Sequence, residues 1–208
     1  MQSEFRITTE VDPGETRIAE IEINKNCNLN CTMCNTQLSK RPNTYMDLGL
    51  FEESLLHAKR LGQTGGLALH TIGDPLIHPR LGDYLALLRK HELTILLSSN
   101  MLAFERKQET LREYADVIEK IRFSIDGASK ETYEAIRRPG KFENLIKNLE
   151  LFRTMNEGGR YFDQVAIDSV VSEDVRHELA YHVSFYSRYV PMRNIGLHLV
   201  NGLSPDNT

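Results

Sequence analysis

Three shortages in this sequence each exclude a class of protein. Cysteine is scarce, with three in 208 residues, too few and too odd a number for a disulfide framework. Net charge is small: 25 lysines and arginines against 29 aspartates and glutamates leave −4. That gives no electrostatic reason to expect nucleic-acid binding. No apolar run approaches the ~18 residues needed to span a bilayer, and Met1 to Glu15 holds no signal-peptide core. Internal repeats and low-complexity linkers are lacking too. The expectation is a soluble, cytoplasmic protein with no membrane attachment. Hydrophobic residues at 40% and charged residues at 26% are ordinary for a globular chain that buries its own core. The predicted layout is a tail over residues 1–15, one domain over 16–200, and a second tail over 201–208.

The few cysteines are not scattered. Cys27, Cys31 and Cys34 fall within eight residues, in the run Cys-Asn-Leu-Asn-Cys-Thr-Met-Cys. Three readings compete. A zinc site wants four ligands, and a histidine such as His57, His70 or His78 would have to supply the fourth without the usual spacing. Cys31 and Cys34 form a CxxC pair of the kind found in thiol redox proteins, which leaves Cys27 superfluous. Three thiolates also suit a cubane iron–sulfur cluster in which one iron keeps an open position for a small molecule.

Around this cluster the pattern alternates strand with helix. Strands are predicted over 16–25, 67–72, 93–99, 118–125, 164–171 and 194–200. Between them lie helical patterns, the first starting at Asp47 and ending at Gly62, the last running over 173–190. Alternation of this length means a parallel sheet. A closed eight-unit barrel takes about 250 residues, so six strands without a sixth helix predict an α/β fold, a partial open (β/α)6 parallel barrel.

Parallel strands covered on both faces read as nearly continuous apolar runs. These alternate instead. Ile21, Ile23, Ile95, Leu97, Phe123, Ile125, Val165, Ile167, Leu197 and Leu199 share one parity and are assigned to the face under the helices. The other parity holds Glu20, Glu22, Asn24, His70, Ser98, Asn100, Arg122, Ser124, Asp126, Asp168 and His198. Charges in a dry core cost several kcal/mol unless paired. The set predicts a solvated cavity with a polar ligand; the plainer alternative is structural pairing, for instance Glu22 with Arg122.

Three further segments stand at predicted strand ends. Ile72-Gly73-Asp74-Pro75-Leu76 follows the second strand, Ser98-Ser99-Asn100 ends the third, and Phe123-Ser124-Ile125-Asp126-Gly127 runs on to Ile136-Arg137 after the fourth. Together with CxxxCxxC after the first strand, their order resembles the radical S-adenosylmethionine (SAM) enzymes, over about Ile18 to Val171. The first segment is similar to that family's Gly-Gly-Glu motif, with Ile72 and Asp74 as departures. The second is similar to a Thr-Asn-Gly segment, with Met101 for the glycine.

The resemblance implies that Cys27, Cys31 and Cys34 hold a [4Fe–4S] cluster. SAM then chelates the fourth iron and is cleaved to methionine and a 5′-deoxyadenosyl radical. It implies SAM contacts from Met33 on the adenine, Gly73 and Asp74 on the amino group, Asn100, Ser124, and Arg137 on the carboxylate. An arginine fork suits that last task. It also implies reduced flavodoxin or ferredoxin as electron donor. Among relatives the chain looks most like the branch acting on peptides, sugars and cyclitols. No cysteine follows Cys34, so auxiliary clusters are not expected, and a redox-neutral rearrangement, elimination or epimerisation, or a dehydrogenation that consumes SAM as oxidant, is favoured over export of a substrate electron through an auxiliary cluster. The substrate is expected to be small and polar, or a peptide residue, met by Glu22, His70, Asp126, Asp168 and His198 as catalytic proton carriers. The rival reading is a non-catalytic iron–sulfur or zinc module, or the core of a larger peptide maturase.

Overall fold

The structure, a computed structural model, describes residues 20–34 and 39–199. Both predicted tails, and the first four residues of the first predicted strand, lie outside the described residues. Five parallel strands form one open sheet in the order β1-β2-β3-β4-β5. They are β1 (Leu67–Ala68), β2 (Ile95–Ser99), β3 (Ile118–Ser124), β4 (Val165–Val171) and β5 (Ile195–Leu199). The helices between them are α1 (Leu48–Arg60), α2 (Leu81–Lys90), α3 (Phe104–Glu113), α4 (Lys130–Ile136), α5 (Phe142–Met155), α6 (Glu173–Arg176) and α7 (Leu179–Tyr186). The α/β class and the unclosed parallel sheet agree with the alternation in the sequence. Of the first predicted strand, the described residues pair with the sheet through a bridge: Glu20 pairs in parallel with Ala68, and Ile21 N–H donates to the Ala68 carbonyl at 2.8 Å. No helix among the described residues is long and apolar enough to cross a membrane.

Local signals explain most boundaries. Asp47 caps α1 by accepting from Gly49 N–H and Leu50 N–H at 2.8 and 3.1 Å. Gly62, at φ +74°, leads the chain away from its end in a conformation other residues resist. One face of each long helix packs on the sheet. Phe51 and Leu55 of α1, Leu85 and Leu88 of α2, and Phe152 of α5 meet Ile95, Leu97, Phe123 and Ile167 from the strands. Phe123 and Phe152 touch edge to face at 4.7 Å between ring centres. At roughly 1.5–3 kcal/mol per buried large side chain, this layer dominates the favourable side of folding.

The structure departs from the sequence reading in three further places. β1 stops at Ala68 rather than 72, because Ile72 N–H turns to the Glu22 carboxylate at 3.0 Å instead of a strand carbonyl. The last long helix is two, α6 and α7. Between them Glu178 turns its carboxylate inward to Ala128 N–H and the Thr132 hydroxyl. Leu197 and Leu199 are exposed at 41% and 75%, not buried under helices, since no described element covers that part of β5.

His78 closes the turn ahead of α2. It is buried, stands edge-on between the rings of Tyr45 and Tyr84, and its Nδ1 accepts from Arg80 N–H at 3.1 Å. Burial, with Lys107 and Arg80 nearby, pushes its pKa down from the ordinary 6.5 to about 4. Between those values the unfolded chain binds more protons than the folded one, so stability rises with pH. The urea midpoint is therefore expected to fall as pH drops from 6.5 to 4, and to fall less in His78→Asn, whose carboxamide oxygen still accepts from Arg80. Equal pH slopes for the two proteins would remove His78 from the acid transition.

Candidate functional site

All three cysteines line one cavity of about 370 Å³ at the C-terminal end of the strands, where sites lie in parallel barrels. Its walls come from four further segments: 70–74 after β1, 98–100 at the end of β2, Ser124 at the end of β3, and Arg137 after α4. Val170 of β4 adds a small apolar patch. None of the cysteines is in a disulfide.

The cysteine loop is braced from two sides. On one, Asp74 N–H donates to the Asn26 carbonyl at 2.8 Å, and Asn24 Nδ2 donates to the carbonyls of Asn26 and Asp74. On the other, Thr32 N–H donates to Ile136 and Asn30 N–H to Arg138. Lys25, also buried, donates its ammonium to the carbonyls of Ser39 and Arg41. Gly73 is what allows the first contact: a Cβ there would stand 2.0 Å from the Asn24 carbonyl oxygen. Its glycine serves close approach of two backbones.

The sulfurs are met by donors. Cys27 Sγ accepts from Leu29 N–H at 3.4 Å and from Asn100 Nδ2 at 3.6 Å. Burial pushes the Cys27 thiol up to about 11, and raises Cys31 against the pull of the neighbouring Arg137. A ligand that takes these sulfurs must displace their protons. Among the described residues, no three His, Cys, Asp or Glu side chains are gathered closely enough to hold a single metal ion. Three cysteines on one cavity, with N–H donors beside the Cys27 sulfur, are a donor set that suits a cubane, which offers each thiolate a different iron.

The carboxylates sit differently from the sequence expectation. Asp74 is buried, and its oxygens accept from Leu76 N–H, Ser99 Oγ and Asn100 N–H at 2.8–3.0 Å. Burial raises its pKa against those donors. These bonds fasten the 72–77 turn to the end of β2, and Asp74 also lines the cavity. Asp126 is a correction: it is fully buried and does not line the cavity. One oxygen takes Arg137 Nε at 2.6 Å and the other takes Val170 N–H at 2.6 Å. It stands beyond β3, where Gly127 at φ +87° turns the chain and the strand parity no longer applies.

Glu22 is likewise engaged, by Ile72 N–H and by Arg41 at 2.6 Å, so the pairing with Arg122 does not form. Arg122 pairs instead with Asp168 at 2.7 Å, and His198 approaches Asp168 at 3.3 Å. These last three lie on the inner sheet face but outside the cysteine cavity. Of the five candidate proton carriers only His70 lines it. Burial holds that imidazole below its ordinary pKa, and its Nδ1 is buried without a partner. Met33, Gly73, Asn100, Ser124 and Arg137 all line the cavity, with Ser124 Oγ 3.2 Å from Ser98 Oγ. The sequence reading names Ser99 in the segment ending β2 but gives it no role. A polar residue on the helix-facing parity of β2 was its one visible signal.

The sequence matches the Radical SAM superfamily over residues 21–158. It is 26% identical over 189 residues to the tungsten-containing aldehyde ferredoxin oxidoreductase cofactor-modifying protein of Pyrococcus furiosus, covering 89% of this chain and 51% of that one. It is 26% identical over 132 residues to the GTP 3′,8-cyclase of Chlorobaculum tepidum, covering 62% and 39%. The chain thus spans about half the length, or less, of these curated relatives. The fold is similar to that of Streptococcus suis SuiB bound to S-adenosylmethionine, with a TM-score of 0.68 at 15% identity over 90% of this chain and 42% of that one.

Proposed function

Since the chain belongs to the radical SAM superfamily, we propose that its cysteine cavity is the place where SAM is cleaved and a hydrogen abstracted from a bound substrate. The family uses SAM and a [4Fe–4S] cluster, which when bound supply the reductive cleavage of SAM to methionine and a 5′-deoxyadenosyl radical. One observation carries the residue assignment: three cysteines and four separate strand- or helix-end segments converge on one cavity.

Cys27, Cys31 and Cys34 are the cluster ligands in this reading. Asn100 and Leu29 N–H steady the first sulfur. Arg137, its guanidinium oriented by Asp126, is the buried cation beside Cys31 and takes the SAM carboxylate. The Gly73 backbone, Ser124 and the Met33 side chain line the rest of the seat. Asp74 acts as a positioning residue, through Asn100 and the 72–77 turn. His70, with an unused buried nitrogen, is the group available to hold or move a proton at the substrate. A small polar molecule or a peptide residue is the proposed substrate, because the inner face presents hydroxyls and charged groups.

The test is anaerobic reconstitution with iron and sulfide, reduction with dithionite, addition of SAM, and chromatography for 5′-deoxyadenosine. Formation of 5′-deoxyadenosine that is lost in Cys31→Ala is the expected result. A protein that takes up four irons yet never cleaves SAM would instead be the non-catalytic iron–sulfur module.

A further inference from the structure

Below the cysteine cavity, on the same inner face, lies a second cavity of about 250 Å³ that shares only His70 and Ser98 with the first. Ala68 of β1 and Leu96 of β2, which are register partners, form its floor. Lys120 and Arg122 of β3 stand on one wall and Glu20 on the other. Residues two apart on a strand share a face, so both cations rise over the same floor. Asp168 neutralises Arg122 on the side away from the floor strands. Lys120 has no hydrogen-bond or ion-pair partner among the described residues, and the buried His70 Nδ1 has none either. Neither Lys120 nor Arg122 lines the cysteine cavity.

The Lys120 ammonium is partly buried on the sheet face and makes no ion pair with Glu20 across the cavity. An anion placed against it and the guanidinium beside it forms charge-assisted hydrogen bonds to both. We propose that this second cavity seats an anionic group of the substrate, a carboxylate or a phosphate, between Lys120 and Arg122. Glu20 across the floor, one oxygen of which accepts from the Thr71 hydroxyl at 3.0 Å, repels a second anion. The substrate's reacting end then lies past Ser98 and His70, toward the cysteines. The inference rests on the cysteine cavity being the reaction centre, but the anion seat itself needs neither cluster nor SAM.

The test uses the 208-residue protein without cluster, titrated at one fixed pH with inorganic phosphate and, separately, with acetate. Shifts of the His70 imidazole resonances are followed by NMR, with the remaining histidines as blanks. A saturable shift confined to His70 is expected. Tighter phosphate points to a phosphorylated substrate, and tighter acetate to a carboxylate. Lys120→Gln should weaken binding by at least about tenfold, the loss that goes with one charge-assisted bond, while Lys90→Gln on the surface leaves it unchanged. No saturable shift with either anion, or equal affinity in Lys120→Gln, overturns the proposal. Formation of 5′-deoxyadenosine by the reconstituted parent protein is scored separately, so failure of the anion seat is distinguishable from failure of SAM cleavage.

Discussion

Alanine in place of Cys27, Cys31 or Cys34 is expected to leave a folded protein that cannot keep its iron. The cysteine loop lies at the mouth of the sheet, and the apolar layer between strands and helices does not include Cys27 or Cys34. Loss of a mere outer-shell partner costs about 10–100-fold in metal affinity, so loss of a thiolate should cost more, and SAM cleavage should vanish with it. Asn100→Ala supplies the milder comparison, because it removes an N–H donor to Cys27 and leaves all three sulfurs. Iron and sulfide analysis beside far-ultraviolet circular dichroism reads both effects. A Cys27→Ala protein with parental iron content would show that the ligand set is wrong.

Arg137→Met is expected to cost about 3–5 kcal/mol of stability, the usual penalty for stripping one member from a buried ion pair. Asp126 has no exposure and would be left with only Val170 N–H. Adding Asp126→Asn should return most of that loss, since the carboxamide oxygen still accepts from Val170. It should not return SAM binding, which needs the guanidinium. Urea unfolding of the single and double variants, with SAM titration of each, separates the two roles. A single variant within ~1 kcal/mol of the parent would mean that the pair is solvated and the fork is free for other work.

What the sequence made legible follows from which forces act locally. Helix caps at Asp47 and Gly62, the apolar parity of β2 to β4, and the cysteine spacing are short-range patterns, and the structure agrees with the first two. Contacts made across the chain were not legible. Asp74 is a carboxylate at the end of a turn, and nothing nearby in sequence says that Ser99 and Asn100, 25 and 26 positions on, will claim it. Asp126 reads as inward by parity, yet the left-handed Gly127 redirects the chain one residue later. Leu197 and Leu199 carry the right alternation for a covered face, and periodicity cannot say whether a cover is present.

The bracing of residues 26–32 has an entropic consequence. Fixing a backbone residue costs roughly 1–2 kcal/mol, and a loop that became ordered only around its ligand would subtract that cost from the affinity. Here Asp74 and Asn24 grip one end of the loop and the carbonyls of Ile136 and Arg138 the other. The ordering cost falls on folding of the sheet and of α4, before anything reaches the sulfurs. Ligand capture is then preorganised, and its strength is tied less to the loop's own sequence than to the integrity of the turn after β1 and the end of α4, about 60 residues apart along the chain.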